Sequence, residues 1–415
     1  MKILLINTND ISGGAARAAY RLHTGLLKSG VDSTYLVKNK NTNTEKVITI
    51  TDNKYKLKSK INNRLNNYLI KTYKNRDNTI FSADLFSSNI HKIINQMDID
   101  LVHLHWVNGF LNIKSIGKIN KPIVWTLHDM WPFTGGCHYS QNCEKYKIEC
   151  ENCTLLNSNK KNDLSRRIFK QKVKAYNNIK NLTIIALSKW IADCAKKSEV
   201  FKNRRIINLP NPINTKEFEP IDKKNVRRIL NLPTDKKIIL FGAMSADSDK
   251  RKGYLYLKEA LKNISISKDE LEIVIFGSNK DEIKNEFGIK TKYTGSFSDN
   301  LSLKLLYSAA DVMVVPSTQE NLSNMIMESM SCGIPIIAFD IGGNPDMIEH
   351  QQNGYLAKPF ESEDLARGMG WVLEDEERHK QLSYNARQKV LKSFDFKRII
   401  PKYIELYKDI LQINK

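Results

Sequence analysis

What most constrains this chain is a recurrence: short apolar runs alternate with helical patterns along almost its whole length. In the first half, the runs at 2–6, 101–104, 122–127 and 182–186 are apolar enough to be strands buried on both sides. Amphipathic stretches lie between them, such as 15–28, which stops at Gly30 as a helix C-terminus should. A second series follows at 238–242, 272–277, 311–316 and 335–340, again ending in Gly, Pro or Asp. Parallel strands need crossovers long enough to hold a helix, so this order predicts an α/β chain of two doubly wound, Rossmann-like parallel-sheet domains in succession.

Length agrees with that order, since 415 residues suit two domains of about 200 each. The joint is expected at Leu209-Pro210-Asn211-Pro212, where two prolines interrupt the pattern. The expected organisation is a first domain over 1–212, a second over 213–395, and a terminal segment, 396–415, packing back on the first. Ile399, Tyr403 and Tyr407 recur in that segment at helical spacing. No window holds the roughly 18 uncharged apolar residues of a spanning helix. The opening MKILLINTND lacks the long apolar region and cleavage site of a secretory signal, so a cytoplasmic protein is expected.

Charge separates the halves. Residues 1–212 carry 35 Lys+Arg against 15 Asp+Glu, a balance of +20, whereas 213–415 carry 30 against 30 and balance to zero. One half therefore faces something anionic: phosphorylated lipid, membrane or nucleic acid. Within it, 54–76 holds eight Lys or Arg and no acid, while Leu57, Ile61, Leu65, Tyr68 and Leu69 recur at helical spacing. Such a helix either lies on an anionic membrane with its apolar stripe in the interface or packs that stripe on the core with its lysines solvated.

Several motifs sit where open α/β sheets bind ligands, beyond the carboxyl ends of strands. Gly13-Gly14, between the first strand and its helix, permits close approach to a helix N-terminus. His128 ends the strand VWTL, where its ring can contact a polar substrate or cap the loop; His103 and His105 are expected to pack or bond locally. In the second half, Asp247-Ser248-Asp249-Lys250-Arg251-Lys252-Gly253 lies between the first strand and a helix, so its cations suit a diphosphate. Glu320 and Glu328 are eight residues apart, one in a loop and one on the following helix, hence separated by up to about 12 Å. That is the length of a nucleotide-sugar. One carboxylate can accept from sugar hydroxyls and the other from ribose hydroxyls, with the N–H groups of Asn321, Leu322, Ser323 and Asn324 between them for phosphate.

Glu320-x7-Glu328 after a Pro-Ser turn, followed by CGIPIIAFDIGG, resembles glycosyltransferase family 4, the retaining enzymes of the GT-B fold. The likeness extends to Gly13-Gly14, His128, LPNPINTKEFEP (209–220), Lys252-Gly253 and Gly295 in YTGSFSD; HDMWPFTGGCHYS resembles the bacterial capsule and colanic-acid type. The resemblance implies two domains facing a central cleft, the first receiving acceptor and the second the donor. It implies a donor that is a UDP- or GDP-sugar and an acceptor that is lipid-linked or an oligosaccharide, serving cell-surface polysaccharide or lipopolysaccharide assembly. It also implies catalysis without a metal, and an enzyme peripheral to the inner membrane face. Glu328 would take the donor ribose, Glu320 the donor sugar, Lys252 the diphosphate, and His128 the transferred sugar. The family's usual Arg after the first-strand glycine is Ala243 here, so Arg251 or Lys250 is expected to replace it.

Cys137, Cys143, Cys150 and Cys153 lie in seventeen residues and read as a structural zinc set or as free thiols, with His138 able to substitute for one ligand. Two other functions stay open on sequence. A nucleotide-sugar epimerase could share the two-domain arrangement. A nucleic-acid binder would fit the pI of about 9.5, although no helix-turn-helix, RNP or zinc-finger pattern is present.

Overall fold

The computed structural model describes all residues except 87–88, 243–248, 278–282, 298 and 413–415, and the side chains of 283–286. It divides into two compact units, Met1–Pro212 with Ile399–Lys415, and Ile213–Arg398.

The first unit is built on β1 (Lys2–Asn9), β2 (Asp32–Asn39), β3 (Val47–Thr49), β4 (Leu101–Leu104), β5 (Ile123–Leu127), β6 (Leu182–Ala186) and β7 (Arg205–Asn208). They form one parallel sheet in the order β3-β2-β1-β4-β5-β6-β7. Every residue of β4, β5 and β6 is buried, as strands covered by helices on both faces must be. The order reverses at β1, which lies between β2 and β4, and ligands of open α/β sheets bind beyond the strand ends at such a reversal. Below that edge Trp125 is fully buried, with Tyr176 and Phe201 edge-on at 5.3 and 6.2 Å between ring centres. The terminal helix Phe396–Gln412 contributes Tyr403 and Tyr407 to this unit; the Tyr407 hydroxyl is 2.6 Å from His103 Nδ1, and Arg205 pairs with Asp409 at 2.7 Å.

The second unit holds β8 (Lys237–Gly242), β9 (Leu271–Phe276), β10 (Ile283–Glu286), β11 (Ile289–Tyr293), β12 (Val312–Val315), β13 (Ile336–Phe339) and β14 (Gly354–Ala357). Its order is β10-β11-β9-β8-β12-β13-β14, reversing at β8. The sheet departs from the expected parallel arrangement at one edge, where β10 runs antiparallel to β11. The physical reason is the connection: Phe287 and Gly288, both at positive φ (61° and 76°), form a two-residue turn, which joins only antiparallel neighbours. Both units match the GT-B glycosyltransferase architecture. Among the described residues no helix is long and apolar enough to cross a membrane.

The basic helix spans Asn53–Lys71, capped by Asp52, whose carboxylate accepts from the N–H groups of Lys54 and Tyr55. Its packing is the reverse of an ordinary amphipathic helix. Tyr55, Ser59, Asn66 and Ile70 are turned inward, while Leu57, Ile61, Leu65 and Tyr68 are 63, 48, 42 and 67% exposed. Of the expected stripe, only Leu69 packs against the core.

Candidate active site

In the second unit the loops leaving β8 and β12, the strands flanking the reversal, are stitched together. Thr318 N–H donates to Arg251 O (2.8 Å), and the Arg251 guanidinium donates to Gln319 O (3.0 Å) and to Asp249 (3.1 Å). Gly253 lets the loops approach: at φ +73° it begins the helix Tyr254–Lys262, and a Cβ there would lie 1.7 Å from Pro316 O. Ala243, Asp247 and Ser248 lie outside the described residues.

These loops bring Lys252 and Glu320 together. Lys252 Nζ donates to Glu320 Oε2 at 3.0 Å, with Arg251 Nη1 3.7 Å from the same oxygen. Glu320 is only 8% exposed. Burial alone would push its carboxyl up, but Lys252, then Arg251 and the Asn321 N–H outweigh it and hold the group below the usual carboxylate range. A third loop presses from behind: Gly343 N–H donates to Glu320 O (3.1 Å), and a Cβ on Gly342 (φ +55°) would meet that oxygen at 2.0 Å. The DIGG turn therefore positions Glu320, a role its sequence did not announce.

Glu320 stands in the loop before the helix Asn324–Ser331, whose N-terminus is capped by Ser323; Asn321, Leu322 and Ser323 are buried, and Glu328 lies on the helix. Glu328 is 2% exposed and accepts from the Tyr307 hydroxyl at 2.8 Å. Tyr307, on the helix Asn300–Ala309, is a partner of Glu328 that sequence reasoning missed, because it reads as part of that helix's apolar face.

In the first unit Gly13 precedes the helix Gly14–Lys28 at φ 95° with open space where a Cβ would stand, so the backbone there is accessible to a ligand. His128 follows β5 directly and is half-buried. Its Nε2 lies 3.0 Å from His105 Nδ1, and burial, against the pull of Asp129, pushes its pKa down to about 4. The imidazole is therefore neutral at neutral pH, a hydrogen-bonding group and no charge carrier. His103 is hydrogen-bonded to the Tyr407 hydroxyl of the terminal helix and to Thr126 Oγ1 at 2.8 Å.

The segment after His128 is held from two sides. Asp129 accepts from Trp106 Nε1 (2.9 Å), Trp131 N–H (2.9 Å) and His138 Nδ1 (2.7 Å). From below, the fully buried Lys172 donates to Trp131 O and Thr134 O and lies 3.8 Å from the centre of the Trp131 ring.

The cysteine loop was readable either as a zinc set or as free thiols. Among the described residues no three His, Cys, Asp or Glu side chains are placed to hold a metal ion, and Cys137, Cys143, Cys150 and Cys153 are free thiols. Burial pushes the Cys137 thiol up to about 12 and raises Cys150 and Cys153. The His138 ring contacts Asp129 through Nδ1 and Ser82 Oγ through Nε2 at 2.9 Å.

An expectation that the sequence holds no Asp-x-Asp triplet to suggest a metal is wrong, since it holds two. Asp98-Ile99-Asp100 lies before β4, at the amino end of the strands, where Asp98 pairs with Lys2 and Asp100 accepts from Lys2 N–H (2.8 Å). In Asp247-Ser248-Asp249 only Asp249 is described, and it is paired with Arg251.

Residues 12–217 match the family model for Glycosyltransferase Family 4, and 222–389 that for Glycosyl transferases group 1. The putative colanic acid biosynthesis glycosyl transferase WcaC of Escherichia coli is 25% identical over 81% of this chain and 83% of its own length. The N,N'-diacetylbacillosaminyl-diphospho-undecaprenol alpha-1,3-N-acetylgalactosaminyltransferase of Campylobacter jejuni is 29% identical over 48% of this chain and 53% of its own. The chain spans about half the length, or less, of the first curated relatives it matches. Among solved structures, HepE of Anabaena in complex with UDP and glucose superposes with a TM-score of 0.66 at 17% identity, covering 98% of this chain and 99% of that one. With two adjoining family models matched and two doubly wound units built as the sequence ordered them, the chain belongs to the family 4 glycosyltransferases of GT-B fold.

Proposed function

We propose that this protein is a retaining glycosyltransferase that moves a sugar from a UDP- or GDP-sugar to a hydroxyl of a lipid-linked or oligosaccharide acceptor. The pathway served is assembly of a cell-surface polysaccharide or lipopolysaccharide. The observation that carries this reading is the buried Lys252–Glu320 pair, with Arg251 beside it, on the two strand ends that flank the reversal of the second sheet. A cation ion-paired to a carboxylate in a ligand crevice is poised to exchange partners. A donor diphosphate draws Lys252 toward itself and frees Glu320 to accept from the donor sugar's hydroxyls.

As the C1–O bond breaks, negative charge grows on the β-phosphate, and positive groups already fixed there stabilise it more than they do the ground state. The acceptor oxygen bonds C1 on the face that the phosphate leaves, and a phosphate oxygen takes the acceptor proton. Lys252 and Arg251 supply the charge that a divalent metal supplies elsewhere, so the reaction is metal-independent. Glu328, oriented by Tyr307, binds the donor ribose, and neutral His128 hydrogen-bonds the transferred sugar. Anabaena HepE was crystallised with UDP and glucose, and the Campylobacter relative is named for an undecaprenol-linked acceptor; both support this choice of substrates. The family match gives no support to the epimerase alternative. The enzyme works at the inner membrane face, where a lipid-linked acceptor is presented.

The test is transfer from the donor that binds, with the product anomer read by NMR and the assay repeated in EDTA. Retained configuration and undiminished rate in EDTA are expected. Inverted configuration, or loss of turnover restored by Mg²⁺ or Mn²⁺, would overturn the corresponding part.

A further inference from the structure

We propose that the outward face of the helix Asn53–Lys71 is a docking surface for an anionic lipid bilayer, with Leu57, Ile61, Leu65 and Tyr68 entering the interface. The proposal rests on the reading of this enzyme as one that meets its acceptor at a membrane, and it names the surface that does so.

The helix is inside-out. At about 100° per residue, Leu57, Ile61, Leu65 and Tyr68 share roughly 80° of its circumference, centred about 150° from the face formed by Tyr55, Ser59, Asn66 and Ile70. That second face is the one turned inward. It is the more polar of the two: Asn66 Oδ1 accepts from Leu85 N–H (3.0 Å), and Asn63 donates to Gly109 O (3.1 Å). The helix is thus fastened to its domain by amides together with Tyr55, Leu69 and Ile70, while Leu57, Ile61 and Leu65 are left in solvent. An ordinary surface helix places its apolar stripe on the core, so this stripe is covered by something other than the fold itself.

Charge selects the occupant. Lys58 lies on one border of the stripe, Lys60, Arg64 and Lys71 lie on the other, and Lys54 stands within it at the helix N-terminus, all exposed. Asp52 and Asp77 bracket the segment, but each directs its carboxylate to backbone N–H groups, of Lys54 and Tyr55 and of Thr79. An apolar stripe bordered by cations on both sides matches an interface of acyl chains below and anionic headgroups around. Leucines and a tyrosine reach the acyl boundary while the lysines extend to the phosphates. A second copy of the same face would set lysines against lysines.

The test is co-sedimentation of the full chain with extruded vesicles, of phosphatidylcholine alone and with about one-quarter phosphatidylglycerol, at an ionic strength of about 0.15 M. Retention is expected on the anionic vesicles only. Leu57→Ser with Leu65→Ser should weaken it by at least about tenfold. Lys54→Gln, Lys58→Gln and Lys60→Gln together should weaken it on the order of 100-fold, at roughly fivefold per cation. Because these positions are exposed, the variants should melt with the parent. No retention, equal retention on neutral vesicles, variants that bind like the parent, or a parent dimer that Leu57→Ser dissociates would each overturn the proposal. Nucleotide-induced thermal shifts, measured in parallel, separate the two readings. If they persist while vesicle binding fails, the docking surface is wrong and the transferase stands.

Discussion

Replacing Lys252 by Met removes the nearer cation from a carboxylate that has little access to water. The side chains of Lys252 and Glu320 are 16 and 10% exposed, so their 3.0 Å contact is poorly screened by solvent. Removing one partner of a buried pair costs about 3–5 kcal/mol, because the other charge is left uncompensated. Arg251 remains 3.7 Å from the same oxygen, so the expected loss is about 2–3 kcal/mol, at or below the low end of that range. For a unit the size of Ile213–Arg398, each kcal/mol moves Tm by about 2–4 °C, which places the variant about 4–12 °C lower at pH 7. The pH dependence identifies the cause. Glu320 is depressed below its ordinary 4.5 in the folded protein, so its pairing stabilises above that value and is lost as pH falls through the depressed pKa. In Lys252→Met burial acts less opposed and raises the carboxyl, so the deficit should shrink as pH falls toward 4.5. Melting curves of both proteins at pH 7, 5.5 and 4.5 test this. A deficit below about 1 kcal/mol at pH 7, or one constant across the series, would refute the electrostatic account of the pair.

Two further perturbations follow from the same geometry. Burial holds Lys172 down to about 7 against an ordinary 10.5, so between those values the unfolded chain binds a proton that the folded chain lacks, and stability rises with pH there by up to about 1.4 kcal/mol per unit. Denaturant titrations at pH 7 and 9 should show that rise in the parent and lose it in Lys172→Met; identical slopes would exclude Lys172 as its source. Gly253→Ala places a Cβ 1.7 Å from Pro316 O at a positive φ, so the loops carrying Lys252 and Glu320 must part. Nucleotide binding should weaken more than tenfold with a lowered Tm, and a variant that binds like the parent would show that loop contact to be dispensable.

The central strands were legible because burial on both faces leaves a continuous apolar run, as in β5 and β9. The edges were not. β2 (DSTYLVKN), β11 (IKTKY) and β7 (RIIN) mix polar and apolar residues, and nothing local separates such a strand from a loop. At the site, the Glu320/Glu328 spacing was readable because loop-then-helix geometry fixes it, and Lys252 because it sits between strand and helix. Tyr307 was hidden by being one apolar-face residue among several on its helix. Lys172 lies in the lysine-rich run QKVKAYNNIK, yet it shares a face with Ile168 and Tyr176, and that four-residue period was an available signal. The stripe of the helix Asn53–Lys71 could be read, but its direction could not, since periodicity states that a face exists and not what covers it. The cysteine spacing left zinc and free thiols equally open, because spacing carries no information on burial.

The most direct test of the central claim is nucleotide binding at the second unit: thermal shift or calorimetry with UDP, GDP, ADP and their sugar conjugates, on the parent and on Glu328→Ala. The account predicts that UDP or GDP and its sugars raise Tm by mass action and that Glu328→Ala abolishes the shift. No shift with any of them, or a shift that survives Glu328→Ala unchanged, would contradict it.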